Sequence, residues 1–330
     1  MISQGFWKDR KVFILGHTGF RGAHLAQVLQ GLGAQVSGLG LLPKTNPSFF
    51  EIENIAAQMS STLGDVRDFD LLKSQIEFHR PEIIFSLLGG SGLKSSKEDP
   101  RETFDVQLMG TVNLLECVRA SESVRAVVLL TSDKIYRRAE HSYNELDALG
   151  GSSPAATAKA CIELVVESYL QSYFQPEKYN KHEKALATAR MGAAIGSGDF
   201  EPESLMWQAV QALQSGAKLE LRNPLAVRSW LGLDDALRGL LILGQSLLES
   251  GPRASGAWNF PASSANRASV REFLNLLGFP AEEVPEGKPS VHGEMSGDKA
   301  LHELGWQAEE RLDSICTKTL SWYRAKGFLK

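Results

Sequence analysis

Short apolar runs rich in β-branched residues alternate with longer amphipathic stretches through the first half of the chain. The runs at 11–16, 35–40, 82–88, 126–132 and 185–190 are mostly apolar, as strands covered on both faces are. The stretches at 20–33, 68–79, 101–121 and 154–175 place apolar residues at helical spacing. Parallel strands need crossover connections, so this alternation predicts an α/β fold with a doubly wound parallel sheet. Ligands bind such sheets at the carboxyl ends of the strands.

The pattern changes after residue 190 to short helices, isolated strands and loops richer in Gly and Pro. We therefore expect a first domain over 1–190 and a smaller, mainly substrate-binding lobe over 191–330. The boundary is soft, because a chain of this type can return once to the sheet after the lobe begins.

Composition narrows the class of protein. The chain has 330 residues, 43% hydrophobic and 22% charged, which suits a soluble enzyme-sized protein. Its net charge is -4 and its Lys and Arg residues are scattered, which argues against nucleic-acid or membrane partners. The apolar run near the N-terminus is too short for a membrane span and lacks a signal-peptide cleavage site, so we expect a cytoplasmic protein. Three scattered cysteines and seven unclustered histidines predict neither disulfides nor a metal site.

The segment "GHTGFRG" has the context of a dinucleotide-binding turn, because it follows a predicted strand and opens a predicted helix. Its glycines permit a tight turn and close backbone approach, while the helix N-terminus offers free N–H groups to a pyrophosphate. We predict a Rossmann-like domain that binds NAD. The second strand ends "SGLGLLPK", without an acidic residue for the ribose 2′-hydroxyl, so NADP stays open. The predicted cofactor-binding residues of this turn are Gly16, Thr18, Gly19, Phe20, Arg21 and Gly22.

Asp65 in "GDVRD" is a further candidate cofactor residue. It follows a strand, and its side chain or the backbone around it could contact adenine. A turn or helix-capping aspartate would give the same local sequence, and the two interpretations are about equally good.

Longer motifs carry a family resemblance. "FWKDRKVFILGHTGFRGAHL", "LPKTNPSFFE", "MGTVNLLE", "SVRAVVLLTSDKIY" and "LRNPLAVRSW" resemble the extended short-chain dehydrogenase/reductase (NAD-dependent epimerase/dehydratase) family, and within it the CDP-glucose 4,6-dehydratase subgroup. The resemblance runs over almost the whole chain. It implies an NAD-dependent lyase that removes water from a nucleotide sugar, expected to be CDP-linked, to give a 4-keto-6-deoxy sugar. It also implies a homodimer or tetramer, with helices 101–121 and 154–175 pairing across the seam.

The resemblance assigns site residues by position. Ser132 matches a hydroxyl that assists sugar oxidation, Asp133 the acid that protonates the departing 6-hydroxyl, and Lys134 the group that takes the C5 proton. Lys159 matches a lysine that holds the nicotinamide ribose, which makes it both a catalytic and a cofactor-binding candidate. Arg228, with Arg222 nearby, should bind the diphosphate of the substrate, because a guanidinium can grip two phosphate oxygens at once.

The sequence departs from the family at the tyrosine that should stand one helical turn before Lys159. Ala155 takes its place, and a methyl group cannot exchange a proton. Two hypotheses stay close to even: an enzyme with doubtful or altered activity, and a non-catalytic NAD(P)- or nucleotide-binding homologue that acts as a partner or regulator. An epimerase or reductase is less favoured, because the Asp133–Lys134 pair has no clear role in those reactions. Further departures occur at Leu15, 86–90, Ala193, Ser204 and Gly232.

Overall fold

A seven-stranded parallel sheet forms the centre of the protein, as the alternation in the sequence predicts. The computed structural model describes residues 3, 5–89, 93–217, 219, 221, 223–279 and 293–330. The sheet has the order β10-β6-β5-β4-β1-β2-β3. The described strands are β1 Lys11–Leu15, β2 Gln35–Gly40, β3 Ser60–Leu63, β4 Ile83–Ser86, β5 Ala126–Leu130, β6 Ala185–Met191, β7 Ala194–Ile195, β8 Val227–Ser229, β9 Leu231–Gly232, β10 Gly256–Phe260 and β11 Arg267–Ser269.

Helices cover both faces of the sheet, and shorter ones build the smaller lobe. They are α1 Phe20–Gly31, α2 Phe49–Ile52, α3 Phe69–His79, α4 Leu93–Glu98, α5 Pro100–Phe104, α6 Gly110–Ala120, α7 Pro154–Ser172, α8 Tyr179–His182, α9 Leu205–Ser215, α10 Leu233–Ser250, α11 Val270–Leu276, α12 Asp298–Leu304 and α13 Leu312–Ala325. All five predicted strands and all four predicted helices are confirmed, with ends that differ by a few residues.

The predicted helix at 101–121 is three consecutive segments. A π-helical turn at Asp105–Met109 joins α5 to α6. Such a turn widens the helix and leaves backbone groups without their usual partners. The Thr111 hydroxyl donates to the carbonyl of Gln107 at 2.6 Å within this turn.

The chain returns to the sheet after the smaller lobe has begun. β10 pairs in parallel with β6, from Gly256 opposite Ala187 to Phe260 opposite Met191. The long helix α10 packs against β5 and β6, and most of its apolar residues belong to the same buried cluster as the sheet. A second apolar cluster lies around α9, α11 and α13. The carboxyl ends of β1, β4, β5 and β6 therefore lie along one edge of the sheet.

Candidate active site

The turn between β1 and α1 has the geometry that a bound pyrophosphate requires. Gly16 has φ +82°, a conformation that favours glycine. The first helical bond of α1 joins the Ala23 amide to the Gly19 carbonyl at 2.8 Å, and no side chain caps the helix. The amides of residues 20–22 therefore precede the helical ladder and are available to an anion. The Thr18 hydroxyl ties the turn to the end of β2 by donating to the Leu41 carbonyl at 2.7 Å.

Two histidines anchor this turn to the segment around α2. His17 is fully buried, bonds the Ser61 hydroxyl at 2.7 Å and meets the Phe50 ring edge to face. His24 stacks on Phe49, with ring centroids 3.5 Å apart, and donates to the Ser197 carbonyl. Burial lowers the pKa of each histidine to about 4. The "GHTGFRGAHL" and "NPSFFE" motifs are thus parts of one packed unit.

We expect His24 to make the protein sensitive to mild acid. Its folded-state pKa lies below the unfolded value, so the unfolded chain binds more protons between pH 6.5 and pH 4, and stability falls as the pH falls through that range. Between pH 7 and pH 5, urea unfolding should show wild type losing about 2 kcal/mol more than His24→Gln. His302→Gln, on the exposed surface of α12, is the control and should lose as much as wild type. An identical loss in wild type and His24→Gln would contradict the assignment.

Asp65 is engaged within its own turn. Its two carboxylate oxygens accept from the Arg67 guanidinium, the closest contact being 2.6 Å, and Oδ1 also accepts from the Arg67 amide. The hydrogen bonds from Arg67 lower the pKa of Asp65. This geometry is that of a turn aspartate, and the proposed adenine contact would have to use the backbone or the remaining carboxylate lone pairs.

Lys159 reaches the edge of the sheet from α7. Its ammonium donates to the carbonyls of Leu88, at 2.5 Å, and Leu130, at 2.7 Å, which follow β4 and end β5. Burial lowers the pKa of Lys159 to about 7; the positive charge of Arg21 acts in the same direction and Glu163 opposes it. The lysine therefore lies where the carboxyl ends of β4 and β5 meet, and Arg21 of α1 is its electrostatic neighbour.

Neither Tyr136 nor Tyr143 offers a free phenol in place of the one that the family resemblance implies at position 155. The Tyr136 hydroxyl donates to Asn259 at 2.6 Å and accepts from Arg190 at 2.8 Å, and burial raises its pKa. The Tyr143 hydroxyl accepts from the Ala139 amide, and its ring stacks on Tyr136. Tyr136 is therefore committed to a buried network in which Arg190 also pairs with Glu163 at 2.9 Å. Glu163 lies four residues after Lys159, a spacing that sequence reasoning overlooked.

Ser132 and Asp133 follow β5 directly and contact each other. The Ser132 hydroxyl donates to Asp133 Oδ1 at 3.0 Å and accepts from the Lys134 amide at 3.2 Å. Arg21 crosses from α1 to donate to the Gly192 carbonyl at 2.6 Å and is an electrostatic neighbour of Asp133. Ser132, Asp133, Lys159 and Arg21 thus lie around one edge of the sheet.

The other predicted site residues stand apart from this group. The Lys134 side chain is exposed. Arg228 is exposed on β8, with its guanidinium 5.7 Å from the centre of the Trp230 ring. Among the described residues, no acidic side chain pairs with Arg228. Arg222 lies outside the described residues.

The departures from the family differ in their surroundings. Ala155 is half-buried in the first turn of α7, and Ala193 is exposed after β6. The Ser204 hydroxyl bonds the carboxyl group of Asp199, whose pKa is raised by burial. At Gly232 a Cβ atom would lie 2.1 Å from Glu310 Oε2, so Glu310 occupies the space beside this glycine. Sequence reasoning did not single out Glu310, because nothing local links it to Gly232.

Two expected absences can be examined only over the residues described. In those ranges, the His, Cys, Asp and Glu side chains form no group of three or more that could hold a metal ion. Within the same ranges, every helix is too short or too polar to cross a membrane. The three cysteines are free thiols.

Comparison with known proteins agrees with the predicted fold and family. The sequence pattern described as "NAD dependent epimerase/dehydratase family" matches residues 12–254. CDP-glucose 4,6-dehydratase of Salmonella typhimurium is 33% identical over 98% of this chain and 93% of its own length. A dTDP-glucose 4,6-dehydratase double mutant of Streptomyces venezuelae, solved with NAD bound, superposes with a TM-score of 0.79 at 22% identity over 96% of this chain and 98% of that one. UDP-glucose 4-epimerase of Thermotoga maritima, solved with UDP-glucose, superposes with a TM-score of 0.78 at 17% identity over 96% of this chain and 99% of that one.

Proposed function

The chain belongs to the NAD dependent epimerase/dehydratase family, and we propose that it is a nucleotide-sugar 4,6-dehydratase of the CDP-glucose type with a slow oxidation step. Similarity to a CDP-glucose 4,6-dehydratase along nearly the whole chain supports the substrate class. The observation that carries the proposal is the group formed by Ser132, Asp133 and Lys159 at the edge of the sheet. Loss of a general acid–base group slows a reaction by about 10²–10⁴-fold, so Ala155 implies a weak enzyme instead of an inert one.

The residues of the glycine turn fit NAD. The amides of residues 20–22 lie at the uncapped N-terminus of α1. A Cβ atom at Gly22 would lie 2.1 Å from the Gly16 carbonyl oxygen, so only glycine permits this tight turn. NAD, when bound, supplies a hydride acceptor and later a hydride donor. Lys159 would hold its nicotinamide ribose after exchanging one of its two carbonyl partners for a ribose hydroxyl.

Arg228 is the proposed anchor for the substrate diphosphate. β8 pairs with β11, and Trp230 stacks on Phe273, so the arginine stands on a rigid base without an acidic partner among the described residues. Arg228→Ala should weaken CDP binding by about 10–100-fold, because a charge-assisted hydrogen bond contributes about 1.5–3 kcal/mol. Arg267→Ala is the matched control, since Arg267 lies on β11 and already pairs with Glu294 at 2.8 Å. Calorimetry with CDP that gives equal affinities for wild type and Arg228→Ala would remove the assignment.

We propose a dimer through α6 and α7. Leu164 of α7 and Met109 beside α6 are 55% and 48% exposed, which is unusual for large apolar side chains on neighbouring helices. Light scattering should give about twice the 36.1 kDa of one chain, and Leu164→Glu should give one chain. Leu301→Glu, on α12, should keep the wild-type mass. A single-chain mass for wild type at micromolar concentration would refute the dimer.

A non-catalytic binding protein is the second candidate, and Ala155 is the observation that favours it. The decisive experiment incubates stoichiometric protein with NAD and CDP-glucose and follows the nucleotide sugar by mass spectrometry. We expect slow formation of the 4-keto-6-deoxy product that depends on added NAD. If both ligands bind by calorimetry but no product forms, the binding protein is the correct function. If neither ligand binds, both proposals fail.

A further inference from the structure

We propose that Ser132 and Asp133 form a proton relay that takes over the role of the missing phenol. The relay accepts the proton of the sugar 4-hydroxyl during oxidation, and Asp133 later returns that proton to the departing 6-hydroxyl. This inference rests on the proposed function. It adds which group accepts the proton of the 4-hydroxyl and in which direction that proton moves.

The hydrogen bonds of Ser132 set the direction of the relay. A serine hydroxyl has one hydrogen to donate and two lone pairs to accept with. The hydrogen points to Asp133 Oδ1 at 3.0 Å, because a carboxylate can only accept. One lone pair accepts from the Lys134 amide at 3.2 Å. The remaining lone pair can accept only from an incoming donor, so a substrate hydroxyl bound there donates to Ser132, and Ser132 donates to Asp133.

Other polar groups near this edge are already committed. The Tyr136 hydroxyl bonds both Asn259 and Arg190, which leaves it no role at the sheet edge. The Lys159 amino group donates to the carbonyls of Leu88 and Leu130, so two of its hydrogens are engaged by the backbone. Ser132 and Asp133 together offer an open lone pair linked to a carboxylate, which neither Tyr136 nor Lys159 does.

The surroundings of Asp133 suit a carboxylate that first takes up a proton and later releases it. Arg21, which donates to the Gly192 carbonyl at 2.6 Å, is its electrostatic neighbour. Its second oxygen faces Gly192, where an added Cβ atom would lie 3.4 Å from Oδ2. The absence of a side chain at residue 192 keeps this oxygen uncovered on that side, so it can meet a second hydroxyl of the same sugar.

The protons and electrons of the whole reaction balance with this relay. In the oxidation, the C4–H bond breaks and its electron pair goes with hydrogen to oxidised NAD, while the O4 proton passes to Ser132 and the Ser132 proton to Asp133. In the elimination, a base removes the C5 proton, the C6–O bond breaks and Asp133 gives its proton to that oxygen. Water leaves with the former O4 proton. Hydride then returns to C6, and C5 is reprotonated.

A binding experiment tests the contact without turnover. Ser132→Ala should weaken CDP-glucose binding by about 3–10-fold, the worth of one hydrogen bond, and should leave the affinity for the 4-deoxy analogue unchanged. Ser132→Thr keeps the hydroxyl and should bind both ligands as wild type does. If Ser132→Ala affects the two ligands equally, Ser132 does not contact the 4-hydroxyl and the relay is wrong.

A kinetic experiment separates the relay from a role of Asp133 in elimination alone. CDP-6-deoxyglucose has no 6-hydroxyl, so it can be oxidised at C4 but cannot lose water, and the absorbance of reduced nicotinamide reports the oxidation directly. In the relay, Asp133→Asn slows this oxidation by about 10²-fold or more, Ser132→Ala does the same, and the double variant is no slower than either. If Asp133 acts only in elimination, Asp133→Asn oxidises this substrate at the wild-type rate, and the inference is overturned.

The background Ala155→Tyr provides the matched control. With a phenol available to take the proton, Asp133→Asn should no longer slow oxidation of the 6-deoxy substrate, but it should still block water loss from CDP-glucose. Oxidation that stays equally slow after Asp133→Asn with and without Tyr at 155 would mean that the carboxylate supports the structure of the site instead of relaying a proton. Wild-type protein that binds neither NAD nor CDP-glucose would refute the proposed function itself.

Discussion

We expect Gly22→Val to abolish dinucleotide binding and Gly22→Ala to weaken it severely. A Cβ atom at residue 22 would lie 2.1 Å from the carbonyl oxygen and 2.8 Å from the carbonyl carbon of Gly16, both of them backbone atoms that cannot swing aside. The turn must open to relieve this collision. The amides of residues 20–22 would then no longer converge on a pyrophosphate.

The other glycines of the same region separate this effect from general damage. At Gly19 the nearest atom to an added Cβ is 3.4 Å away, so Gly19→Val should fold normally and lose binding only because its side chain fills the ligand's approach. Gly31, at the end of α1, has nothing within 4 Å, so Gly31→Ala should bind as wild type does. Calorimetry with NAD and thermal unfolding should be run on all four variants. Heat of binding retained by a folded Gly22→Val would exclude this turn as the cofactor site.

The sheet was largely predictable because its strands are buried on both faces and read as continuous apolar runs. β3 was implied only by the position given to Asp65, because Ser60–Leu63 is an edge strand whose mostly polar, partly exposed side chains form no apolar run. The return of the chain at β10 could be anticipated only as an option, because a short run such as "GAWNF" does not reveal which strand it will pair with. Local pattern thus predicts the elements better than it predicts their neighbours.

In the candidate site, too, the sequence predicts the positions of residues better than it predicts their contacts. The positions of Lys159, Ser132 and Asp133 follow from motifs, whereas their partners depend on contacts between distant segments. The reach of Arg21 to the Gly192 carbonyl and the filling of the space at Gly232 by Glu310 join residues far apart in sequence. The direction of the Ser132 hydroxyl depends on the short helical turn after β5, which caps itself on that serine. No periodicity in the chain carries this information.

The largest gain in activity should come from rebuilding the site around position 155. Ala155 is half-buried in the first turn of α7, and a tyrosine at this position would stand one helical turn from Lys159. We expect wild type to form product slowly, and Ala155→Tyr alone to improve this by less than about tenfold, because the sugar side of the site is expected to differ as well. The family resemblance leads us to expect asparagine at residue 193, which is alanine, and His-Leu-Ala-Ala at residues 86–89.

Restoring the three regions together should exceed the product of their separate effects. The combined variant carries Ala155→Tyr, Ala193→Asn and the run His-Leu-Ala-Ala at 86–89, and we expect at least about 10²-fold more product than wild type. Mass spectrometry of the nucleotide sugar measures this, with Lys159→Met in the combined variant as the control that should remove the gain. Rapid turnover by wild type would show that Ala155 is no impediment. A combined variant that binds NAD and CDP-glucose yet forms no product would favour the binding protein, because the groups needed for oxidation would then be present without an active arrangement.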